Sequence, residues 1–301
     1  MTELATTDAG KVVADYLRRW QAAPAGQPFS TVTSVLAPAT RDGEPVMLKI
    51  ATNEEERRGN ALMTWWAGRG AAPVLEHDDR AVLLQRAVGP RSLTEWACRS
   101  AEDDDAATRE LCLAGMRLHG IRDTPPPGPI DLHEWFGELF RHARLVGGFH
   151  ARAARTAREL LAEQRESVVL HGDLHHGNVL DFGAERHPEC DGWLVIDPKH
   201  LIGDRAFEFT NILCNPTGAL AVAPGRLARQ VDVICSTTGI QRRRLLRWTV
   251  AWCGLSSAWI QRDAADLERA ASATGTRTGT TAGWSALEVG KQAERLLAGA
   301  S

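Results

Sequence analysis

Apolar positions change their period along the chain. Between Lys11 and Trp20 they fall at Val12, Val13, Tyr16, Leu17 and Trp20. That is one face of a helix, with Asp8 placed as its cap. From Phe29 the spacing shortens. Thr31–Leu36 is β-branched, Pro45–Ile50 is apolar, and Asp42-Gly43 between them is a turn signal. The pair predicts a hairpin with Lys49 near the end of its second strand. Glu54–Trp66 begins acidic and continues apolar, which suits a helix complementing its own dipole, and Gly68-Arg69-Gly70 stops it. Residues 72–77 and 81–85 predict two more strands around Asp78-Asp79-Arg80.

Beyond Val88-Gly89-Pro90 the helical period dominates. Residues 108–119, 132–165, 226–233 and 242–261 carry it, with a proline-rich break at 124–129 and a short last helix at 290–297. Two short apolar runs, 168–170 and 193–196, interrupt the helices as buried strands. The Thr/Gly-rich stretch 273–283 predicts a mobile loop. The expected fold is α+β and bilobal. A β-rich lobe occupies 1–88, and a larger, mainly helical lobe occupies 89–301.

Composition narrows the classes. A chain of 301 residues suits one large bilobed unit or two modest domains. Hydrophobic content of 44 % and charged content of 24 % are those of a globular protein. A net charge of −3 argues against a nucleic-acid partner and leaves room for a small cationic one. No run nears the roughly 20 apolar residues of a membrane span. The start of the chain lacks a signal-peptide pattern, and the six cysteines form no CxxC pair. A cytoplasmic protein with reduced thiols is the expectation.

The chemistry concentrates at the two short strands. HGDLHHGN at 171–178 follows the first, and IDP at 196–198 ends the second. Asp173, Asn178 and Asp197 are therefore oxygen-bearing side chains at strand ends around a tight turn. Phosphoryl transfer needs such a set: one carboxylate on the acceptor hydroxyl, and an Asn and an Asp as hard ligands for Mg²⁺. Against this stand blander roles, a turn-capping Asp and a turn-forming Asn. The spacing H-x3-H-H also raises a zinc site at His171, His175 and His176, but a strand and turn lack the geometry of a helical HExxH pair, and His171 better suits orienting the turn. The acidic run Glu102–Asp105 and the basic run Arg242–Arg244 read as solvated helix ends.

Taken with Lys49, the acidic helix start and the Gln85-Arg86-Ala87 connector, this order resembles the antibiotic-phosphotransferase branch of the protein-kinase-like fold. WLVIDPKHLIGD (193–204), ERRGNALMTWWAGRGAAPVL (56–75) and WCGLSSAW (252–259) are similar to the streptomycin 6-phosphotransferase and hydroxyurea phosphotransferase family. The likeness runs from about Val46 to about Ile260. It implies ATP or GTP with Mg²⁺ in the cleft, and transfer to a hydroxyl of an aminoglycoside such as streptomycin. Hydroxyurea or a metabolite alcohol is the alternative acceptor, and a non-catalytic nucleotide-binding protein the remoter one. Lys49 is implied at the phosphates, with Glu56 as its partner and Glu54 and Glu55 as competitors. Gln85 and Ala87 are implied at the adenine through the connector backbone. No GxGxxG is present, so hydroxyls or amides near Ser30, Thr31 or Thr33 are the candidates for meeting the phosphates. Asp204 and Glu208 border the region expected to hold a cationic acceptor, although Asp204 also suits a helix cap. Trp252 is either a wall of that pocket or, with Trp259, part of a core stripe.

Overall fold

The computed structural model describes residues 2–274 and 282–299. Most of the Thr/Gly-rich stretch lies outside them. The first part of the chain runs α1 (Thr2–Arg19), β1 (Ala23–Pro24), β2 (Phe29–Ser30), β3 (Ser34–Arg41), β4 (Glu44–Ala51), α2 (Glu54–Trp66), β5 (Val74–His77) and β6 (Ala81–Gln85). The helix α1 extends beyond Asp8 to Thr2, so Asp8 is inside it and does not cap it. The six strands form one antiparallel sheet in the order β1-β3-β4-β6-β5, with β2 added on β3. The β3–β4 hairpin turns on Asp42 and Gly43, both at positive φ (52° and 81°), as a two-residue hairpin loop matching strand twist requires.

Alternation along β4 decides where the lysine points. Val46, Leu48 and Ile50 pack with Ala81 and Leu83 of β6 against Val13 and Leu17 of α1 and Trp20 just after it. Met47 and Lys49, one residue out of phase, therefore face the opposite side. On that side lies α2, capped by the Asn53 side chain, which accepts from Glu56 N at 2.9 Å. Its Leu62, Met63 and Trp66 join the core of the helical part.

The rest comprises α3 (Leu93–Arg99), α4 (Ala101–His119), β7 (Ile130–Asp131), α5 (Leu132–Trp135), α6 (Gly137–Val146), α7 (Gly148–Ala162), β8 (Ser167–Leu170), β9 (Val179–Asp181), β10 (Trp193–Val195), β11 (Leu201–Asp204), a 3₁₀ segment at Phe207–Cys214, α8 (Gly218–Ala221), α9 (Arg226–Thr238), α10 (Arg242–Thr274) and α11 (Ala282–Ala298). A further 3₁₀ turn spans Pro188–Cys190. The single helical stretch expected over 132–165 is broken at Phe136 and again at Gly147-Gly148, both at positive φ. Among the described residues no helix is long and apolar enough to cross a membrane.

One member of each charged run departs from the solvated helix end expected of it, while Glu102 and Arg243 are exposed as expected. Asp104 is 1 % exposed and takes the fork of buried Arg226 at 2.8 Å on both oxygens. Arg244 is bonded to the buried Asp204 and to Glu163 O. Asp104 and Arg244 each find an opposite charge on an element distant in sequence, and this offsets part of the cost of their burial.

Candidate active site

Two strand ladders assemble the site. In the β9–β10 ribbon Val179 pairs with Val195, so Asn178 and Ile196 are the next pair out, joined by Ile196 N donating to Asn178 O at 2.9 Å. Asn178 and Asp197 consequently emerge at one end of the ribbon. Asp197 has φ 63°, a left-handed conformation rare for a non-glycine residue and concentrated at functional sites. In the second ladder Leu170 of β8 pairs with Leu201 of β11, and Lys199 N donates to His171 O at 2.7 Å. That bond sets Lys199 beside the turn carrying Asp173.

The turn itself is tightly held. Gly172 has φ 80°, and a Cβ there would meet the Leu201 side chain at 2.7 Å. His171 is fully buried, with Nε2 on Ile196 O at 2.7 Å and Nδ1 accepting from Asp173 N at 3.2 Å. Burial lowers the pKa of the ring against the opposing effect of the Ile196 bond, and acceptance at Nδ1 calls for the neutral form. His171 thus orients the turn, as expected. His176 and His200 are buried and His175 is partly so; burial pushes their pKa values down to about 3, about 4 and about 4, respectively. Among the described residues no three His, Cys, Asp or Glu side chains converge on a metal position.

Asp173 Oδ1 accepts from Asn211 Nδ2 at 2.9 Å, and Asn178 Nδ2 donates to Asp173 O at 2.9 Å. Burial pushes the Asp173 carboxyl up to about 7, against the downward pull of Lys199. Asn178 directs its amide nitrogen to Asp173, so its carbonyl oxygen is the end available to a hard cation. With the Asp197 carboxylate it makes a donor set that fits Mg²⁺, which takes one or two protein oxygens and fills its octahedron with phosphate and water.

Lys49 Nζ contacts Glu56 Oε2 at 2.5 Å and Asp197 Oδ1 more closely still. Of the three glutamates at the start of α2, Glu56 is the one that meets this lysine. It is 3 % exposed and also accepts from Thr33 Oγ1 at 3.0 Å and Ser34 Oγ at 3.1 Å. Lys49 and Lys199 together hold Asp197 below the usual carboxylate range in spite of its burial. Glu55 takes Lys199 at 3.0 Å, and Glu56 lies 3.6 Å from the same ammonium. Burial opposes the charge of Lys199, but Glu55, Asp173 and Asp197 raise its pKa overall.

Two cavities open on this cluster. One is an apolar slot of 370 Å³ lined by Leu36, Met47, Leu84, Ala87, Leu180 and Ile196, with Lys49, Glu56 and Asp197 at its polar end. Ala87 lines the slot at the connector. The Gln85 side-chain oxygen meets His187 Nε2 at 3.1 Å, and Gln85 also lines the slot. Thr31 and Thr33 line the slot, but Thr33 is committed to Glu56. The other cavity, 520 Å³, lies over Gly172 and Asp173. Five carboxylates (Glu55, Glu134, Glu138, Asp173, Asp263) face three cations (Arg141, Lys199, Arg262) there, with Trp135, Trp252 and Trp259 as walls. Trp252 lines this cavity and also packs edge-on against Phe207 and Trp259.

Asp204 and Glu208 do not line the pocket. Asp204 is 1 % exposed, bonded to Arg244 and accepting from Arg165 N and Ala206 N. Glu208 is 2 % exposed and accepts from His171 N at 2.6 Å and Gly172 N at 2.9 Å, with His119 Nε2 at 3.2 Å. Burial works to raise its pKa, but the His119 bond leads the interactions that hold it below the ordinary value. Its place is under the catalytic turn, clamping the backbone. Asn211 had no sequence signal of its own, Glu55 was weighed only as a partner for Lys49, and the only signal for Lys199 was its place directly after IDP.

Comparison with known proteins agrees with this geometry. Residues 19–264 match the model of the aminoglycoside/hydroxyurea antibiotic resistance kinase family. A streptomycin 3''-kinase of Klebsiella pneumoniae is 44 % identical over 253 residues, 81 % of this chain and 90 % of that one. A hydroxyurea phosphotransferase of Kitasatospora aureofaciens is 32 % identical, over 83 % of this chain and 73 % of its own. Among solved structures, an aminoglycoside phosphotransferase of Streptomyces rimosus with ADP and streptomycin superposes with TM-score 0.55 at 18 % identity, covering 81 % of this chain and 97 % of that one. A choline kinase of Streptococcus pneumoniae superposes with TM-score 0.58 at 10 % identity, covering 97 % and 99 %. The expected α+β kinase-like fold is the observed one, and the chain belongs to the aminoglycoside/hydroxyurea antibiotic resistance kinases, phosphotransferases with an alcohol group as acceptor.

Proposed function

We propose that the protein transfers the γ-phosphoryl group of ATP to a hydroxyl of streptomycin, with Mg²⁺ at Asn178 and Asp197. The observation that carries this reading is a pair of cavities on one charged cluster: the slot ends at Lys49, Glu56 and Asp197, the pocket is lined by Asp173, Glu55 and Lys199, and Lys199 lies 3.6 Å from Glu56. One is an apolar slot of a size for a purine, and the other a tryptophan-walled pocket in which carboxylates outnumber cations. Carboxylates beside aromatic faces suit a guanidinium-bearing sugar, through charge-assisted hydrogen bonds and stacking. Hydroxyurea is small and neutral and would leave most of a 520 Å³ pocket unfilled. The 44 % identity to a streptomycin 3''-kinase favours the 3''-hydroxyl.

In this reading the division between lobes falls near residue 88, and the nucleotide sits between them. Mg²⁺–ATP supplies the electrophilic phosphoryl group and offsets its charge. Leu36, Met47, Leu180 and Ile196 cover the base, and Ala87 N–H donates to its edge. Lys49, steadied by Glu56, carries positive charge to the phosphates. Asp173 accepts a hydrogen bond from the acceptor hydroxyl, aligns it, and takes its proton as the new O–P bond forms. Catalysis on this scheme is positioning and fixed electrostatics.

The test is phosphorylation of streptomycin by purified protein with ATP or GTP and Mg²⁺, beside hydroxyurea, a simple alcohol and Asp173→Ala. Wild-type turnover on streptomycin alone, lost in Asp173→Ala and on chelation, supports the proposal. Phosphate mapped by NMR to the 3''-position supports its finer part. Turnover on hydroxyurea alone sinks the acceptor assignment, and activity retained in Asp173→Ala sinks the mechanism.

A further inference from the structure

The Asp173 side chain has little of its own turn to hold it. Glu208 grips the amides of His171 and Gly172, not the carboxylate. Asn178 Nδ2 makes its short bond to the backbone oxygen of Asp173 and lies 3.4 Å from Oδ2. His175 Nε2 is 3.9 Å from Oδ1, too far for a hydrogen bond. A carboxylate torsion is broad and roughly two-fold, so without a firm donor it samples a range of angles. The one donor within 3.0 Å of this carboxylate among the described residues is Asn211 Nδ2, at 2.9 Å from Oδ1.

Asn211 is itself fixed. Asn215 Nδ2 donates to Asn211 O at 3.0 Å and to Asn211 Oδ1 at 3.1 Å. The oxygen end of the Asn211 amide thus faces Asn215, and the NH₂ end faces Asp173. Asn215 O in turn accepts from Arg226 Nη2 at 2.9 Å, and Arg226 is forked on Asp104. Arg229 and Gln230 close on the same carboxylate at 2.6 and 2.7 Å. Asn211, Arg226, Asp104 and Gln230 are each at most 9 % exposed. The chain of bonds runs from the α4–α9 contact to the floor of the acceptor pocket.

We infer that Asn211 is the positioning residue of the Asp173 carboxylate, anchored through Asn215 on the buried Asp104–Arg226 pair. The inference rests on the reading of Asp173 as the group that aligns the acceptor hydroxyl. A neutral amide suits the task. It fixes the angle of the carboxylate without placing a positive charge on it, which an Arg or Lys in this position would do at the expense of basicity. The buried ion pair suits the anchor, because its value is geometric definition more than net stability.

The test is steady-state kinetics of the full chain carrying Asn211→Ala, Asn211→Asp, Asn215→Ala and the double Asn211→Ala/Asn215→Ala, with Asp173→Ala alongside. ATP turnover is followed with streptomycin and with water as acceptors. Misplacement of a reacting group by about 1 Å costs up to ~10²-fold. The expected result is therefore a kcat loss of about 10- to 100-fold in Asn211→Ala, with the KM for ATP within about twofold. Asn211→Asp keeps the volume and replaces the donor by an acceptor, so it loses at least as much kcat and carries the test if the alanine variant folds poorly. Asn215→Ala loses less, and the double variant is no worse than Asn211→Ala, as residues acting in one chain are non-additive. A kcat within twofold of wild type in Asn211→Asp overturns the inference. So does a fall in kcat matched by a rise in both KM values and a loss of thermal stability, which marks a merely structural residue. If Asp173→Ala is itself active, the proposed mechanism falls and takes the inference with it. If only the Asn211 variants are active, the mechanism stands alone.

Discussion

The slot that ends at Asp197 and the pocket that holds Asp173 are built in opposite ways. The slot is apolar, lined from one sheet face and one ribbon, and has its charges at one end: Lys49, Glu56 and Asp197. The pocket is charged throughout and collects residues from α2, α5, α6, α10 and the catalytic turn. An apolar slot with one polar end takes any ligand with a flat ring and a charged tail. A pocket of mixed charges in walls from five segments changes its ligand when any one of them changes. This is a physical reason for a kinase family to keep its donor while its acceptors diverge.

Substitutions at the border, the slot and the pocket test that division. The largest effect is expected at the border: Asp173→Asn should lower kcat by about 10²- to 10⁴-fold with both substrates still binding, read by initial rates and calorimetric titration. Next comes the slot. Asp197→Asn should lower kcat by roughly 10²- to 10³-fold, the range for removing one preorganised electrostatic group, and raise the Mg²⁺ needed for half-maximal rate. If its main effect is on the KM for streptomycin, the two regions are not separable. The exposed Glu134 is a milder probe of the pocket. Glu134→Gln should raise the KM for streptomycin about two- to fivefold, as befits an exposed charge, with the ATP KM unchanged and the difference shrinking in high salt.

The smallest effect on turnover belongs to the floor beneath both regions. His176 and His200 are buried, with pKa values held at about 3 and about 4 against an ordinary 6.5. A histidine depressed in the folded state contributes its stability above about pH 6.5, and loses it as pH falls toward the folded value. Between pH 7.5 and pH 5 each should give up about 1–2 kcal/mol, lowering Tm by several degrees. His200→Leu should remove its share of that dependence. A Tm equally pH-sensitive in His200→Leu and wild type would count against the assignment.

The acidic carboxylates show where reading from residues alone stops. Asp104, Asp204 and Glu208 are of the right type for solvated ends or for a cationic substrate. Yet each is buried against a partner 20 or more positions away: Arg226, Arg244 and the amides of the catalytic turn. No local pattern encodes such a partner. Glu56 shows the same point from the other side. Three successive glutamates begin α2, and helix phase together with the side of the sheet on which Lys49 lies selects among them.

What the chain order alone proposed was the set of candidate reacting groups. Asp173, Asn178 and Asp197 are close in sequence, bound to two short strands, and their spacing is itself chemical information; the hairpin and α2 were equally evident because turn chemistry and period are local. Lys199, Glu55 and Asn211 entered the site only through folding. The β8–β11 ladder, the approach of α2, and the 3₁₀ segment after Ala206 bring them to Asp173. A ladder register or a buried hydrogen bond joins residues far apart in the chain, and such pairings exist only once the hydrophobic core has closed around them.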